Sequence, residues 1–357
     1  MNNPERGTAV TAKATPGGRP VTSAGPAGRT APAGPTGSGR QLPGWLDEVV
    51  HRFAVVGVWA VMFLVYAALE PHKILQTATL QSIFGSQQAL VFLALGALCT
   101  LVVGEFDLSI ASVMGISATV VAVLATQQHM NVALASLIGV AVAAVCGLVN
   151  AFVIVVVGVD GFVVTLGSST LLLGLTILIS NNTTVFGLSA SFAKFTLTNF
   201  LGLPLSFYYG LALALLFAYI LSFTPLGRHL TFVGANREVA RLAGARVNRI
   251  RFMCYVTGST IAGLGGVLLV ASLGGFDPSS SSVYLLPALS AVFLGTAAVQ
   301  PGRFNPLGTL IGIYFLATGI LGLQLLGLGG WIEDVFYGAA LVAAVAVSSL
   351  VRRRRRS

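Results

Sequence analysis

Long apolar runs alternate with short polar segments along most of the chain. Most runs approach the ~20 residues that an α-helix needs to cross the hydrocarbon core of a bilayer. The pattern therefore predicts an all-α, polytopic integral membrane protein with about ten transmembrane helices. The predicted spans cover residues 53–69, 87–103, 109–126, 132–157, 162–180, 205–223, 252–273, 283–298, 306–326 and 332–351.

The basic residues predict the orientation of these spans. If the N-terminus is cytoplasmic and the spans alternate, all of the 20 Lys and Arg residues except Lys73 and Lys194 lie on the inner side. Basic residues accumulate on the cytoplasmic side of membrane proteins, so an even number of spans and two cytoplasmic termini are favoured. Only residues 104–108 separate the second and third runs, which leaves a broken or re-entrant element open there.

The composition agrees with a lipid-embedded chain and sets its domain limits. Hydrophobic residues make up 55% of the sequence, charged residues 9%, and the mean hydropathy is +0.87. The lipid bilayer must therefore solvate most of residues 45–351, as expected of a multi-pass protein of the bacterial inner membrane. Residues 1–44, rich in small and polar types, are predicted to be a disordered cytoplasmic tail. Residues 352–357 are predicted to be a basic cytoplasmic tail that contacts anionic lipid.

Several function classes are disfavoured by what the predicted spans contain. No acidic or histidine side chain lies in the middle of a span, although an intramembrane enzyme or a proton relay would normally need one. The phosphate-loop motif G-x-x-x-x-G-K-[ST] does not occur, so ATP is not expected to bind to this chain. The three cysteines lack metal-site spacing, and the clustered basic residues favour membrane topology over nucleic-acid binding.

The inner loop 224–251 contains the pattern of a short amphipathic helix. Asn236 is a suitable N-cap, and Glu238 lies in the first turn, where the helix dipole favours an acid. Gly244 can end the helix in a left-handed conformation. Val239 and Leu242 would form a small apolar face for a partner protein. The alternative is an ordinary positive-inside loop whose arginines only fix the topology.

A family resemblance favours the first interpretation. Residues 234–244, which read GANREVARLAG, resemble the cytoplasmic coupling segment of the ribose-type ABC sugar permease family, typically G-G-N-x-x-A-A-R-L-S-G. Further matches follow the family's order: GEFDLS at 104–109, GLVN at 147–150, FVVTLG at 162–167 and TPLGR at 224–228. The resemblance extends over roughly residues 50–350. It implies that the coupling residues are Asn236, Arg237, Glu238, Val239, Ala240, Arg241, Leu242 and Gly244.

Three positions depart from the family pattern. Glu105 stands where a second glycine is common, and Leu285 and Leu286 replace an acid-Leu pair that often follows Tyr. The segment 296–298 replaces a Gly-Gly-x-Ser pattern. These departures leave open a solute other than ribose.

The resemblance also implies a division of labour between subunits. This chain is expected to be the transmembrane permease of a binding-protein-dependent ABC importer for a sugar or sugar-like solute, without cofactors or enzymatic activity of its own. ATP and Mg would bind to a separate ABC ATPase subunit, and an extracytoplasmic solute-binding protein would deliver the solute. A second permease would complete the pathway; a second copy, giving a homodimer, is expected, and a heterodimer is left open. The alternative is a secondary carrier or facilitator for a small polar solute.

Polar residues in the matching motifs are candidates for transport or gating. The candidates are Glu105, Asp107, Ser109, Asn150 and Thr165. Two of them also have structural interpretations that remain open. Asp107 can cap the helix that follows it, and Asn150 can hydrogen-bond between helices.

Overall fold

A computed structural model describes the chain from Gly44 to Arg354, with side chains from Phe53 to Ala346. The described part is mainly helical. In chain order the helices are α1 Gly44–Leu69, α2 Pro71–Ile74, α3 Thr77–Gly85, α4 Gln88–Val102, α5 Ile110–Thr126, α6 Val132–Ala151, α7 Gly161–Ile179, α8 Ala190–Leu197, α9 Leu205–Phe223, α10 Pro225–Ala235, α11 Arg237–Leu242, α12 Val247–Leu273, α13 Leu285–Gly295, α14 Pro306–Leu325 and α15 Trp331–Arg354. A π-helical segment, Phe152–Val157, extends α6, and a 3₁₀ helix, Pro278–Tyr284, precedes α13.

Six helical stretches of the described chain are long and apolar enough to cross a membrane. They are Thr77–Val102, Val132–Val157, Gly161–Ile179, Leu205–Phe223, Val247–Leu273 and Pro306–Leu325, and each overlaps a predicted span. The prediction of a polytopic, mainly helical membrane protein is therefore confirmed. The run predicted at 283–298 contains the shorter helix α13, whose 11 residues extend only about 16 Å.

The chain termini fall largely outside the described residues. The tail predicted over residues 1–44 lies outside them except at Gly44, where α1 begins. At the other end α15 continues to Arg354, so it includes the start of the predicted basic tail, while residues 355–357 lie outside.

Two small strand pairs modify the all-α prediction. Strand β1, Val185–Phe186, pairs antiparallel with β4, Gly275–Phe276. Strands β2, Asn199–Phe200, and β3, Leu203–Pro204, form a hairpin. Leu201 and Gly202 between them both have positive φ, as a two-residue type I′ turn requires. The β2–β3 hairpin lies in the connection between α8 and α9, whereas Val185 and Phe276 of the β1–β4 pair are buried in the main hydrophobic core.

The core of the bundle lies around α12, which packs against α4, α5 and α6. Glycines permit this close packing. A Cβ on Gly96 of α4 would lie 2.7 Å from the Gly258 carbonyl oxygen of α12, and a Cβ on Gly258 would meet the Gly96 carbonyl at the same distance. The backbones therefore cross where neither helix carries a side chain, as small residues allow in membrane helices.

The outer helices expose large apolar side chains. Only 17% of α7 and of α9 is buried, compared with 67% of α12. Leu171 and Leu178 of α7 are 63% and 70% exposed, and Phe223 of α9 is 74% exposed. Exposure of such continuous apolar faces to water is unfavourable, so lipid or a second membrane chain must cover them.

Candidate coupling site

The predicted short helix is present as α11, directly after α10. The Oδ1 of Asn236 accepts hydrogen bonds from the backbone N–H groups of Glu238 at 3.0 Å and Val239 at 3.1 Å. This side chain satisfies two N–H groups that have no partner within the helix, which is why α11 begins here. Gly244 follows the helix with a φ of +82°, a conformation that glycine adopts without steric cost.

One side of this segment is anchored to the bundle through a small apolar cluster. Ala240 of α11 and Val233 of α10 are fully buried against Val103, Val247 and Cys254. Gly234 lies so close to the end of α4 that a Cβ there would collide with the Val102 carbonyl oxygen. The coupling segment, defined as residues 234–244, is therefore held against the ends of α4 and α12.

The opposite side of the coupling segment faces outward. Leu242 is 82% exposed and Val239 48% exposed. The charged side chains beside them, Glu238 and Arg241, form only a loose ion pair, with Oε2 and Nη1 3.9 Å apart. An exposed leucine on an anchored helix is a typical contact for the groove of another protein.

Glu105 joins the coupling segment to the bundle electrostatically. Its Oε1 lies 2.9 Å from Nη2 of Arg237 and also accepts a hydrogen bond from Nε of Arg251 at the start of α12. The Tyr255 hydroxyl donates to Oε2 at 3.3 Å. Glu105 is buried, so its charge is compensated by two arginines instead of by water.

The backbone before Glu105 takes part in the same contact. Gly104 has a φ of +75° in the turn that follows α4, and its carbonyl oxygen accepts a 2.8 Å hydrogen bond from Arg237. Arg237 therefore binds both a backbone oxygen and a carboxylate at one point. The start of α7 is also near, because a Cβ on Gly161 would lie 3.3 Å from Oε2 of Glu105.

Three other candidates form a second polar group close by in the sequence. Asp107 Oδ1 accepts hydrogen bonds from the Ser109 backbone N–H at 2.9 Å and from the Ser109 hydroxyl at 2.6 Å. The Asn150 amide donates to the Ser109 hydroxyl at 2.9 Å and accepts from the Ser168 hydroxyl at 2.5 Å. Asn150 thus connects the start of α5 to α7, as the packing interpretation predicts.

Asp107 is unusual among these groups because one oxygen is left without a partner. Its Oδ2 is buried and makes no hydrogen bond within the described chain. Burial raises the pKa of Asp107, although the two hydrogen bonds from Ser109 oppose that shift. Asp107 thus binds Ser109, the N-cap residue of α5, but no side chain of the described residues accepts a capping hydrogen bond from the helix itself, so the capping role stays a prediction.

Thr165 is separate from both groups. It is buried in α7, and its hydroxyl donates to the Gly161 carbonyl of the preceding turn at 2.8 Å. The structure thus brings Glu105 to the coupling segment and Asp107, Ser109 and Asn150 together, and it leaves Thr165 bonded within its own helix. Sequence reasoning missed Tyr255 and Ser168, since neither belongs to a motif and both make contacts between distant segments.

No group of three His, Cys, Asp or Glu residues within the described chain could hold a metal ion. Within the described chain the site consists of the short helix α11 and the ion pairs around Glu105. Such an arrangement can bind a partner protein through hydrogen bonds, charge pairs and an exposed apolar side chain.

Comparison with known proteins identifies the family. The family described as "Branched-chain amino acid transport system / permease component" matches residues 79–345. The chain belongs to this permease family. It is therefore the permease subunit of an import system and a multi-pass protein of the inner membrane.

Curated relatives agree with this assignment. The D-allose transport system permease protein AlsC of Escherichia coli is 25% identical over 85% of this chain and 93% of its own length. The autoinducer 2 import system permease protein LsrD of Salmonella typhimurium is 30% identical over 73% of this chain and 80% of its own. LsrC of Salmonella paratyphi B, from an import system of the same name, is 27% identical over 85% and 87%. No solved structure gives a significant match.

These relatives confirm the resemblance to the ribose-type ABC sugar permeases that the motifs indicated. They favour a permease subunit over the alternative of a carrier or facilitator that works alone. The roles of the individual candidate residues stay predictions.

Proposed function

We propose that this permease has ten spans with both termini in the cytoplasm and couples ATP hydrolysis on a separate ABC ATPase to the import of a sugar or sugar-like solute. The observation that carries the proposal is the coupling segment itself. Its inner face is anchored to α4 and α12, while Leu242 projects from its outer face, so a partner that grips α11 would also act on the core helices.

The ion pairs of Glu105 support a mechanical connection. When the ATPase subunits close on nucleotide, a displacement of α11 is passed through Arg237 and Glu105 to Arg251 at the start of α12. Because α12 is packed through glycines against α4, a tilt of one helix moves the other rather than being absorbed by flexible side chains. Such a movement would alternate access to the two sides of the membrane.

The partners follow from the same proposal. A soluble binding protein would deliver the solute to the outer side, and ATP and Mg would stay on the ATPase. The second permease is expected to be another copy of this chain. The names LsrC and LsrD, two permease proteins of an autoinducer 2 import system, suggest a pair of different permeases as the alternative.

Replacement of Leu242 by Asp tests the docking surface. We expect Leu242→Asp to leave membrane insertion intact and to abolish co-purification with the ATPase subunit, because a carboxylate would replace the apolar contact at the partner's groove. The matched control is Leu201→Asp. Leu201 is 83% exposed but lies in the β2–β3 hairpin, at the other end of α9 from the coupling segment. Normal ATPase binding by Leu242→Asp would contradict the proposal.

A further inference from the structure

A second polar site lies at the end of the bundle opposite the coupling segment. The coupling segment contacts the last residues of α4 and the first residues of α12, whereas a cavity of about 660 Å³ is bounded by Gln88 at the beginning of α4 and Ser272 at the end of α12. Parts of α3, α8, α13, α14 and α15 also lie in its walls. We call it the distal cavity. Small-molecule sites are commonly about 300–1,000 Å³ in volume, so its size is suitable for a solute.

The walls of the distal cavity combine an apolar surface with several hydrogen-bonding side chains. Leu90, Leu269 and Ile320 are among the apolar residues. The polar side chains are Gln81, Ser82, Ser86, Gln87, Gln88, Ser272, Tyr284, Gln324, Glu333 and Tyr337. Apolar walls with a few converging polar groups are typical of binding sites for small molecules.

Four of these polar side chains have no partner within the described chain. The side chains of Tyr284, Gln324, Glu333 and Tyr337 take part in none of its hydrogen bonds or ion pairs. Tyr337 is nevertheless only 7% exposed. The polar atoms of all four are open to the cavity, since none of them is among the buried side-chain atoms that lack a hydrogen-bond partner. Their hydrogen-bonding groups are therefore available to a molecule that enters the cavity.

The chemistry of the four groups points to hydroxyl ligands. The carboxylate of Glu333 and the carbonyl oxygen of the Gln324 amide accept hydrogen bonds, while the amide N–H groups and the tyrosine hydroxyls donate them. A hydroxyl group on a ligand both donates and accepts. It can therefore pair with every member of this set.

The charges of the walls argue against an amino acid as the occupant. No Lys, Arg or His is among the described residues that line the distal cavity, and Glu333 is the single acid among them. A zwitterionic amino acid could place its ammonium group at Glu333, but its carboxylate would find no cation. A neutral molecule with several hydroxyl groups avoids burying a carboxylate that has no counter-ion.

We propose that the distal cavity is a solute-binding site, contained within a single permease chain, for a neutral, hydroxyl-rich molecule. The proposal rests on the function of the chain as an import permease. It adds a site at which the solute binds during translocation. A solute that reaches this end of the bundle is held by Tyr284, Gln324, Glu333 and Tyr337 until the helices tilt.

A cysteine-protection experiment tests the proposal directly on the purified full-length chain in lipid nanodiscs. The native Cys99, Cys146 and Cys254 are replaced by Ala, and a single reporter is introduced as Ser272→Cys in the cavity wall. The rate at which N-ethylmaleimide labels this cysteine is measured with and without D-ribose, D-allose, D-glucose, myo-inositol or L-leucine. A control reporter, Ser191→Cys, lies on the exposed helix α8 outside the cavity.

At least one of the four polyols is expected to slow labelling of the Ser272→Cys reporter by about tenfold once the site is about nine-tenths occupied, with no effect on Ser191→Cys. Tyr337→Phe keeps the ring and removes the hydroxyl, so the polyol concentration required for protection should rise about three- to tenfold. Gln324→Leu should have a similar effect.

Two results would overturn the proposal. One is unchanged labelling with all four polyols, and the other is protection by L-leucine alone, which would assign an amino acid to the cavity. Either result leaves the permease function standing as long as the ATPase still co-purifies with the chain. The loss of both ATPase binding and polyol protection would instead contradict the function itself.

Discussion

Glu105 connects two parts of the protein, the coupling segment and the start of α12. It stands at a position where the resemblance leads one to expect glycine, and it accepts contacts from Arg237, Arg251 and Tyr255. A glycine there would leave two arginines facing each other without a counter-ion. The carboxylate that replaces the expected glycine is therefore paired with positively charged side chains that compensate its charge.

Neutralising this carboxylate should destabilise the protein. Glu105→Gln removes the negative charge that compensates Arg251, whose side chain is only 16% exposed. Leaving a buried charge unpaired is costly, so we expect a loss of about 2–3 kcal/mol in the free energy of unfolding. The measurement is the thermal or denaturant midpoint of the purified chain in detergent.

The control for Glu105 is Glu238, which also pairs with an arginine. Its side chain is 72% exposed and its partner Arg241 lies 3.9 Å away. Exposed pairs of this kind contribute about 0–1 kcal/mol, so Glu238→Gln should leave the midpoint nearly unchanged. Equal effects of the two substitutions would mean that the Glu105 cluster is not a stabilising contact.

At the scale of elements, the contact between α4 and α12 decides how the bundle is packed. The two helices approach through Gly96 and Gly258, whose missing side chains let each backbone touch the other's carbonyl. α12 also begins at the coupling segment and ends at the distal cavity, so it connects the two sites of the molecule. The packing of α12 must therefore hold both of its ends in position.

A large side chain at this crossing should separate the helices. Gly258→Leu would place a Cβ 2.7 Å from the Gly96 carbonyl oxygen, and we expect a loss of about 3 kcal/mol or failure to fold. Gly174→Leu in α7 is the matched control, since a Cβ added to Gly174 would meet no atom within 4 Å. Thermal unfolding of both variants distinguishes the two positions, and equal midpoints would refute the importance of the crossing.

At the scale of the whole molecule, the exposed apolar faces of α7 and α9 and the distribution of basic residues determine how the bundle is placed in the membrane. With the orientation that we propose, the coupling segment and the distal cavity face opposite compartments. The proposed function requires this arrangement, because the ATPase would supply energy on one side and the solute would arrive on the other.

Cysteine labelling in cells checks the proposed orientation. In a background without the three native cysteines, Ser191→Cys should react with a membrane-impermeant maleimide in intact spheroplasts, because α8 is expected outside. Ala243→Cys should react only after lysis, because the coupling segment is expected inside. A green fluorescent protein fused to the C-terminus should fluoresce, as it does in the cytoplasm. Labelling of Ala243→Cys in intact spheroplasts would reverse the topology.

The sequence alone was sufficient to predict the features that depend on short-range order. The length and apolar character of the runs predicted about ten spans, and six of them overlap helical stretches that are long and apolar enough to cross a membrane. The capping pattern of Asn236 and Gly244 predicted α11 because the relevant hydrogen bonds join residues only two or three positions apart.

Only the tertiary structure decided which distant residues meet. Glu105 and Arg251 are separated by 146 positions, and no local pattern indicates that a turn after α4 will meet the start of α12. The distal cavity likewise collects side chains from helices far apart in the sequence, none of which carries a recognisable binding motif. The length and hydrophobicity of a segment determine whether it enters the membrane. Side-chain pairing across the bundle depends on how closely the segments pack, and that follows from the shapes of all of them together.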